Sequence, residues 1–278
     1  MSDGAETPLL ELRGVSKTFG AVQALNKVDL SVAAGKVTAL VGDNGAGKSV
    51  TIKTISGLWP PTEGQILWEG SPVHIHSPND AESLGITTIY QDLALCDNLD
   101  IVQNMFLGHE ELRFGLLDET AMELKARRTL ADLHVTTVRS IRQPVASLSG
   151  GQRQSVAVAK AVMSAAKLVI MDEPTAALGV AQTHEVLDLI KRLSSQGTAV
   201  MVVSHNLNDV FAVADQISVL YLGHLVAQGP ASDFDTQIVV EFMTTGEAGR
   251  PKTDHAAASA GVGTATGTGA GTGAGGAQ

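Results

Sequence analysis

VTALVGDNGAGKS, Val37 to Ser49, is the stretch whose reading decides the fold. Val37–Val41 is short and apolar, which predicts a buried strand. The residues behind it, Gly42, Asp43, Asn44, Gly45, Ala46, Gly47, Lys48 and Ser49, fit the spacing G-x-x-x-x-G-K-[ST] and run straight into a helical pattern. A strand, a glycine-rich turn and a helix in that order make a phosphate cradle. Glycines let the backbone curl so that successive N–H groups point inward. The helix N-terminus adds partial positive charge. Lys48 can reach β- and γ-phosphates, and the Ser49 hydroxyl can ligate Mg²⁺. The helix, GKSVTIKTISGLW, is expected to stop near Gly57.

Outward from the cradle the pattern alternates. KLVIMD (167–172), TAVMVVSH (198–205) and QISVLYL (216–222) read as strands, and QTHEVLDLIKRLSSQG (182–197) and LNDVFAVAD (207–215) as helices. Strands alternating with helices predict an α/β fold with a parallel sheet. Residues 9–42 read as short strands with glycine turns, and GQILWEGSPVHI (64–75) as a hairpin. SPNDAESLG is expected to be a short helix capped by Ser77, with Pro78 in its first turn and Gly85 at its end. ITTIYQD (86–92) reads as a strand, and residues 98–165 as a mostly helical insertion. The end of the chain, 254–278, is nearly all Gly, Ala and Thr, and is expected to be a disordered tail.

The chain has 278 residues, 44% of them apolar, enough for one good-sized domain with a real core. No run approaches the ~18 apolar residues of a membrane span. The N-terminus MSDGAETPLL is acidic and lacks a basic-then-apolar leader, so membrane insertion and secretion are not expected. A formal net charge of −10 argues against nucleic acid as the partner. The single cysteine, Cys96, cannot form an internal disulfide and reads as a small buried apolar residue in a reducing compartment.

LVIMDEP, Leu168 to Pro174, is an apolar strand ending in two carboxylates. Carboxylates belong at the exposed end of such a strand, beside the cradle. Asp172 can hold Mg²⁺, and Glu173, on the other side of an alternating strand, can orient and deprotonate an attacking water. His205 and Gln91 end two further strands; the first can face a γ-phosphate, and the second can touch Mg²⁺ or the water. SLSGGQ, Ser147 to Gln152, has the capping-box spacing S-x-x-Q at Ser149 and Gln152, around Gly150 and Gly151. It is a second helix start able to take a phosphate.

These residues in this order resemble the ATP-binding subunits of ABC transporters over about residues 8–245. GDNGAGKS matches the family's Walker A, Gln91 its Q-loop, LSGGQ its signature, LVIMDE its Walker B, His205 its H-loop and Phe19 its adenine-stacking aromatic. The resemblance implies a P-loop NTPase (RecA-like) parallel-sheet core with an N-terminal antiparallel β subdomain and an inserted α-helical subdomain at about 92–165. The ATP-binding domain would span 1–253. Glu173, His205 and Gln91 would be catalytic, Ser49, Gln91 and Asp172 would hold Mg²⁺, and Phe19, Gly42–Ser49 and Ser149–Gln152 would bind ATP. The implied assembly is a head-to-tail pair of copies with two ATP between them, in which Ser149 and Gly151 meet the γ-phosphate held by the partner's Lys48. That pair would sit at the cytoplasmic face of the membrane and drive a permease, with Asp92–Gly115 as the docking region. HSPNDAESLGITTIYQDLALCDNLDIVQNMFLGHE further resembles monosaccharide importers for ribose, xylose or fructose, which work with an extracytoplasmic sugar-binding protein.

Two positions depart from the family pattern: Val50 stands where Thr is common, and Gly179 where an Asp often follows Walker B. The alternative to a transporter subunit is a soluble non-transport ABC ATPase, though neither long coiled coils, zinc modules nor two cassette halves are visible. A P-loop kinase would not need LSGGQ. NKVD, Asn26 to Asp29, precedes the P-loop and reads as a chance match to a guanine-binding motif. His74 and His76 lack further ligands at metal spacing. Met105, Phe106 and Leu107 are expected either at the permease contact or in the core.

Overall fold

The computed structural model describes residues 7–135, 137–163, 165–176 and 178–247; the expected tail at 254–278 lies outside them. In chain order the first elements are β1 (Leu10–Phe19), β2 (Val22–Val32), β3 (Val37–Gly42), α1 (Lys48–Ile55), β4 (Glu63–Trp68), β5 (Ser71–Val73), α2 (Pro78–Ser83), β6 (Ile86–Ile89) and α3 (Ile101–Phe106). Then come β7 (Leu112–Arg113), β8 (Leu116–Leu117), α4 (Glu119–Asp132), α5 (Gly150–Met163), β9 (Leu168–Asp172), α6 (Val180–Ser195), β10 (Ala199–Val203), α7 (Leu207–Val213), β11 (Gln216–Tyr221), β12 (His224–Pro230) and α8 (Thr236–Thr245).

The central sheet has the order β12-β11-β3-β10-β9-β6, with every neighbour parallel except β12. It is covered on both faces, which explains why its strands are continuous apolar runs. In β9 the two periodicities separate cleanly. Val169 and Met171 face a cluster shared with α3, α4, α5 and α6, while Leu168 and Ile170 face one shared with α1 and the antiparallel strands. A third cluster joins Ala39, Val41, Ile217 and Val219 to α7 and α8. Buried hydroxyls such as Thr38 and Ser218 occur within these strands, but charged side chains of β3, β9, β10 and β11 are confined to the strand ends.

The antiparallel sheet, β2-β1-β4-β5, is the N-terminal β subdomain. Its first two strands are long, where the sequence suggested several short ones. Gly14 interrupts the alternation with a positive φ of 57°, and the pairing shifts register between Leu12 and Val15 and again before Lys17. These are bulges, which lengthen and twist a strand without ending it. The hairpin of β4 and β5 is as expected, and α2 has the predicted cap: Asp80 N–H donates to Ser77 Oγ while Ser77 N–H donates to Asp80 Oδ2.

The inserted region is less helical than its composition suggested. Between Asp92 and Ala165 the helices α3, α4 and α5 are separated by irregular segments and by the β7–β8 hairpin, which turns at Phe114 and Gly115 with φ of 54° and 81°. Met105 and Phe106 are buried in the core, and Leu107 is exposed. Cys96 is only half-buried. No helix among the described residues is long and apolar enough to cross a membrane.

Candidate functional site

The P-loop connects β3 to α1 at the C-terminal edge of the sheet. Gly47, the N-cap of α1, has φ 107° and offers no side-chain cap. A Cβ there would also lie 2.8 Å from Leu25 Cδ2, so both the turn and its packing require glycine. By contrast, Ser77, Asp100, Asp118, Asn206 and Asp235 cap the helices that follow them. The α1 N-terminus thus keeps its N–H groups and positive end for an external anion. Lys48 is nine-tenths buried, and its Nζ donates to the carbonyls of Gly42 at 2.6 Å and Asp43 at 3.1 Å. The loop therefore holds the ammonium across its own mouth. Ser49 is exposed on the first turn of α1; Val50 continues the helix and packs on the core.

Parallel register brings the other strand ends to this edge. β10 lies between β3 and β9, with Val203 opposite both Leu40 and Asp172. Burial pushes the Asp172 carboxyl above the ordinary carboxylate range, and the Glu173 charge pushes the same way; the ammonium groups of Lys48 and Lys53 pull against both. The carboxylate is thus within the field of the P-loop lysine. Mg²⁺ is generally held by one or two carboxylates together with phosphate oxygens and water. A half-buried Asp172 facing Lys48 and an uncapped helix end fits that donor set.

Glu173 departs from the sequence reading. β9 ends at Asp172, and Glu173 has φ 49°, so strand alternation does not place it. Left-handed backbone at a non-glycine residue costs about 1–3 kcal/mol and is found where surrounding contacts impose it. Here Glu173 N–H donates to Val203 O at 2.8 Å, Ser204 Oγ donates to Oε2 at 3.3 Å, and His205 Nδ1 lies 2.7 Å from Oε1. A carboxylate only accepts, so Nδ1 carries the proton and Nε2 is turned to other partners. His205 is itself two residues past the end of β10, and Gln91 is exposed two residues past the end of β6. Both were expected as the last residues of strands. The short loops beyond the strands, rather than the strands, aim these side chains.

The signature lies apart from the P-loop and makes no hydrogen bond to it among the described residues. Its capping box is formed: Ser149 N–H donates to Gln152 Oε1 at 2.9 Å, and Gln152 N–H to Ser149 Oγ at 3.3 Å. The Ser149 hydroxyl accepts in this box and keeps its own proton to donate. Gln152 Nε2 donates to Thr137 O at 2.6 Å. The glycines have a packing role that the sequence did not reveal. A Cβ on Gly150 would meet Leu178 Cδ2 at 2.7 Å, and one on Gly151 would meet Gln182 Cβ at 3.1 Å. A Cβ at Gly179 meets nothing within 4 Å, so its lack of a side chain answers no steric demand.

Phe19 ends β1 and is 40% exposed, with Trp59 against it. Sequence reasoning missed Trp59, because SGLWPP reads only as the end of a helix. His74 and His76 stack with ring centroids 6.0 Å apart, and no cluster of three metal-type side chains exists among the described residues.

The family model described as ABC transporter matches residues 25–176. The fructose import ATP-binding protein FrcA of Rhizobium meliloti is 45% identical over 86% of this chain and 95% of its own length. The xylose/arabinose import ATP-binding protein XylG of Sulfolobus acidocaldarius is 44% identical, covering 87% and 96%. Against the ribose import ATP-binding protein RbsA 1 of Agrobacterium fabrum, 41% identical over 85% of this chain, the match spans only 46% of the relative. Among solved structures, a nucleotide-free ATP-binding cassette from an ABC transporter superposes with a TM-score of 0.72 at 26% identity, over 80% of this chain and 91% of that one. A dimeric cassette bound to ADP and Pi gives 0.68 at 25%, covering 81% and 100%. With its phosphate loop, paired carboxylates and signature helix arranged on one such cassette, the chain belongs to the ABC transporter family.

Proposed function

We propose that this chain is the ATP-hydrolysing subunit of a simple-sugar importer, working as a pair of identical copies that close around two ATP molecules. The observation that carries the reading is the Glu173–His205 pair, 2.7 Å apart, at the same sheet edge as the P-loop and Asp172. In this reading the P-loop N–H groups and Lys48 bind the β- and γ-phosphates, and Phe19 stacks on the base. Ser49, Asp172 and Gln91 hold Mg²⁺, which when bound supplies charge neutralisation to the phosphates. Glu173 accepts the proton of the attacking water, while Ser204 and His205 fix its carboxylate. Ser149–Gln152 of each copy meets the γ-phosphate of the other. The ATP-binding domain is taken as 1–253 and the helical subdomain as about 92–165. Sugar as the cargo is supported by the names of the full-length relatives. A membrane permease and, through it, an extracytoplasmic sugar-binding protein are then the partners, and the cytoplasmic face of the membrane is the location. Reconstituting the chain with its permease and the sugar-binding protein and measuring sugar-dependent ATP hydrolysis tests this; hydrolysis indifferent to every simple sugar would remove the cargo assignment.

A groove of about 320 Å³ between the core and the helical subdomain supports the permease contact. Leu93, Met105 and Phe106 give it an apolar floor, and Glu82, Asp92, His109 and Lys125 a charged rim. Thr87 and Thr88 of β6 also line it, and their hydroxyls are buried with no hydrogen-bond partner among the described residues. Leu107→Arg, at an exposed position beside the groove, is expected to leave the hydrolysis of the isolated subunit within about twofold, since exposed substitutions rarely disturb folding. The same variant should fail to co-purify with the permease.

Asp172→Asn separates stability from turnover. The folded chain holds this carboxyl above its ordinary range, so the folded state binds its proton more tightly than the unfolded state does. Ionisation at neutral pH therefore destabilises the fold, and that cost disappears as pH falls through the raised value. The amide is expected to raise the melting temperature of the nucleotide-free protein at neutral pH, with the gain shrinking toward the ordinary carboxylate range. Hydrolysis should fall by at least about 10²-fold as Mg²⁺ loses its carboxylate.

A further inference from the structure

We propose that Trp59 is a positioning residue for the nucleotide base, acting through Phe19. The inference rests on the reading of Phe19 as the base platform and adds the element that holds that platform still. Phe19 stands at the end of a strand and is 40% exposed, so its ring lacks the core packing that would fix its torsion angles. Trp59 meets it edge to face, with centroids 4.9 Å apart and planes at 75°, the arrangement that ring quadrupoles favour. Trp59 is itself fixed. Its backbone N–H donates to Lys53 O at 3.0 Å, and Lys53 Nζ lies 4.4 Å from its ring centroid. Pro60 behind it restricts its backbone to extended conformations.

Lys17 closes the frame. Its Nζ donates to Pro60 O at 2.7 Å, tying β1 to the Trp59 loop, and lies 5.2 Å from the Phe19 centroid. The Phe19 ring then has a cation and an indole against it while remaining 40% exposed, which leaves ring surface for a purine. Stacking on an aromatic is worth about 1–3 kcal/mol per base, and a ring already held in place loses none of this to ordering. Trp59 is half-exposed and belongs to none of the three apolar clusters, so packing alone does not account for it.

The test compares ATP with inorganic tripolyphosphate, which needs the P-loop but has no base, by calorimetric titration in the presence of Mg²⁺. Trp59→Ala is expected to weaken ATP binding about tenfold, to leave tripolyphosphate binding unchanged, and to raise KM for ATP with kcat retained. Trp59→Phe, which restores an aromatic edge, should recover the ATP affinity. Trp59 and the buried Trp68 are the two tryptophans, so ATP should also change the emission of the wild type and not of Trp59→Phe. Unchanged ATP affinity in Trp59→Ala, an equal loss for both ligands, or a Trp59→Phe variant as weak as Trp59→Ala would each overturn the inference. A wild-type chain binding ATP no more tightly than tripolyphosphate would instead overturn the reading of Phe19 on which it rests.

Discussion

Replacing Glu173 by glutamine is expected to leave ATP binding intact and to slow hydrolysis by roughly 10²- to 10⁴-fold, the contribution of a positioned general base. The substitution is informative because of what it keeps. A glutamine Oε1 can still accept from His205 Nδ1 at the position where the carboxylate accepts at 2.7 Å, and the backbone bond to Val203 O is untouched. The left-handed backbone at this residue is held by the same contacts. Only basicity is removed. Binding energy that normally drives closure is then no longer dissipated by hydrolysis, so the variant should accumulate as an ATP-bound dimer. Gel filtration at saturating ATP and Mg²⁺ measures this directly, and a variant that remains monomeric would contradict the proposed mechanism. His205→Ala separates the two members of the pair. It frees the Glu173 carboxylate without neutralising it, and should also lower turnover, by loss of orientation instead of loss of the base.

The site was legible in the sequence to the extent that its chemistry fixes residue types at fixed spacings. The P-loop shows this best, since only glycine suits φ 107° at Gly47 beside Leu25, and only a lysine directly behind it spans the loop mouth. Where structure depends on how far a strand continues, the sequence was silent. Alternation placed Glu173 opposite Asp172, yet β9 stops one residue earlier, and the Glu173–His205 pair follows from that stop. Bulges hid the full length of β1 and β2, because a register shift breaks the two-residue period by which strands are recognised. The β7–β8 hairpin is too short to carry a period, and β12 and α8, His224 to Thr245, gave no phosphate-type motif to draw attention. Trp59 was illegible for a different reason. Its partner Phe19 is remote in sequence, and the register of β1 on β4, Ser16 opposite Glu63, is what brings the two loops together.

Ser149→Arg is expected to spare ATP binding to the monomer and to reduce hydrolysis by roughly 10²- to 10³-fold, the usual effect of removing one preorganised donor to a transition-state anion. The chain has two helix starts suited to phosphate, and they make no hydrogen bond to one another among the described residues. A single copy has use for only one, because Lys48, Asp172 and Glu173 all gather at the first. The second is nonetheless built with care: a reciprocal cap leaves the Ser149 hydroxyl proton available, and two glycines let the helix start seat against Leu178 and Gln182. In the proposed head-to-tail pair each signature would complete the partner's site; the cassette bound to ADP and Pi that matches with a TM-score of 0.68 is itself dimeric. An arginine at 149 fills the space where the partner's γ-phosphate must arrive and removes the hydroxyl that meets it. Ser149 is exposed in the single chain, so the fold should survive the change. Combining it with Glu173→Gln sharpens the test. The double variant should bind ATP with the affinity of Glu173→Gln alone and yet elute as a monomer. Elution as a dimer would mean that the second helix start is not the partner's half of the site, and the paired mechanism would fall with it.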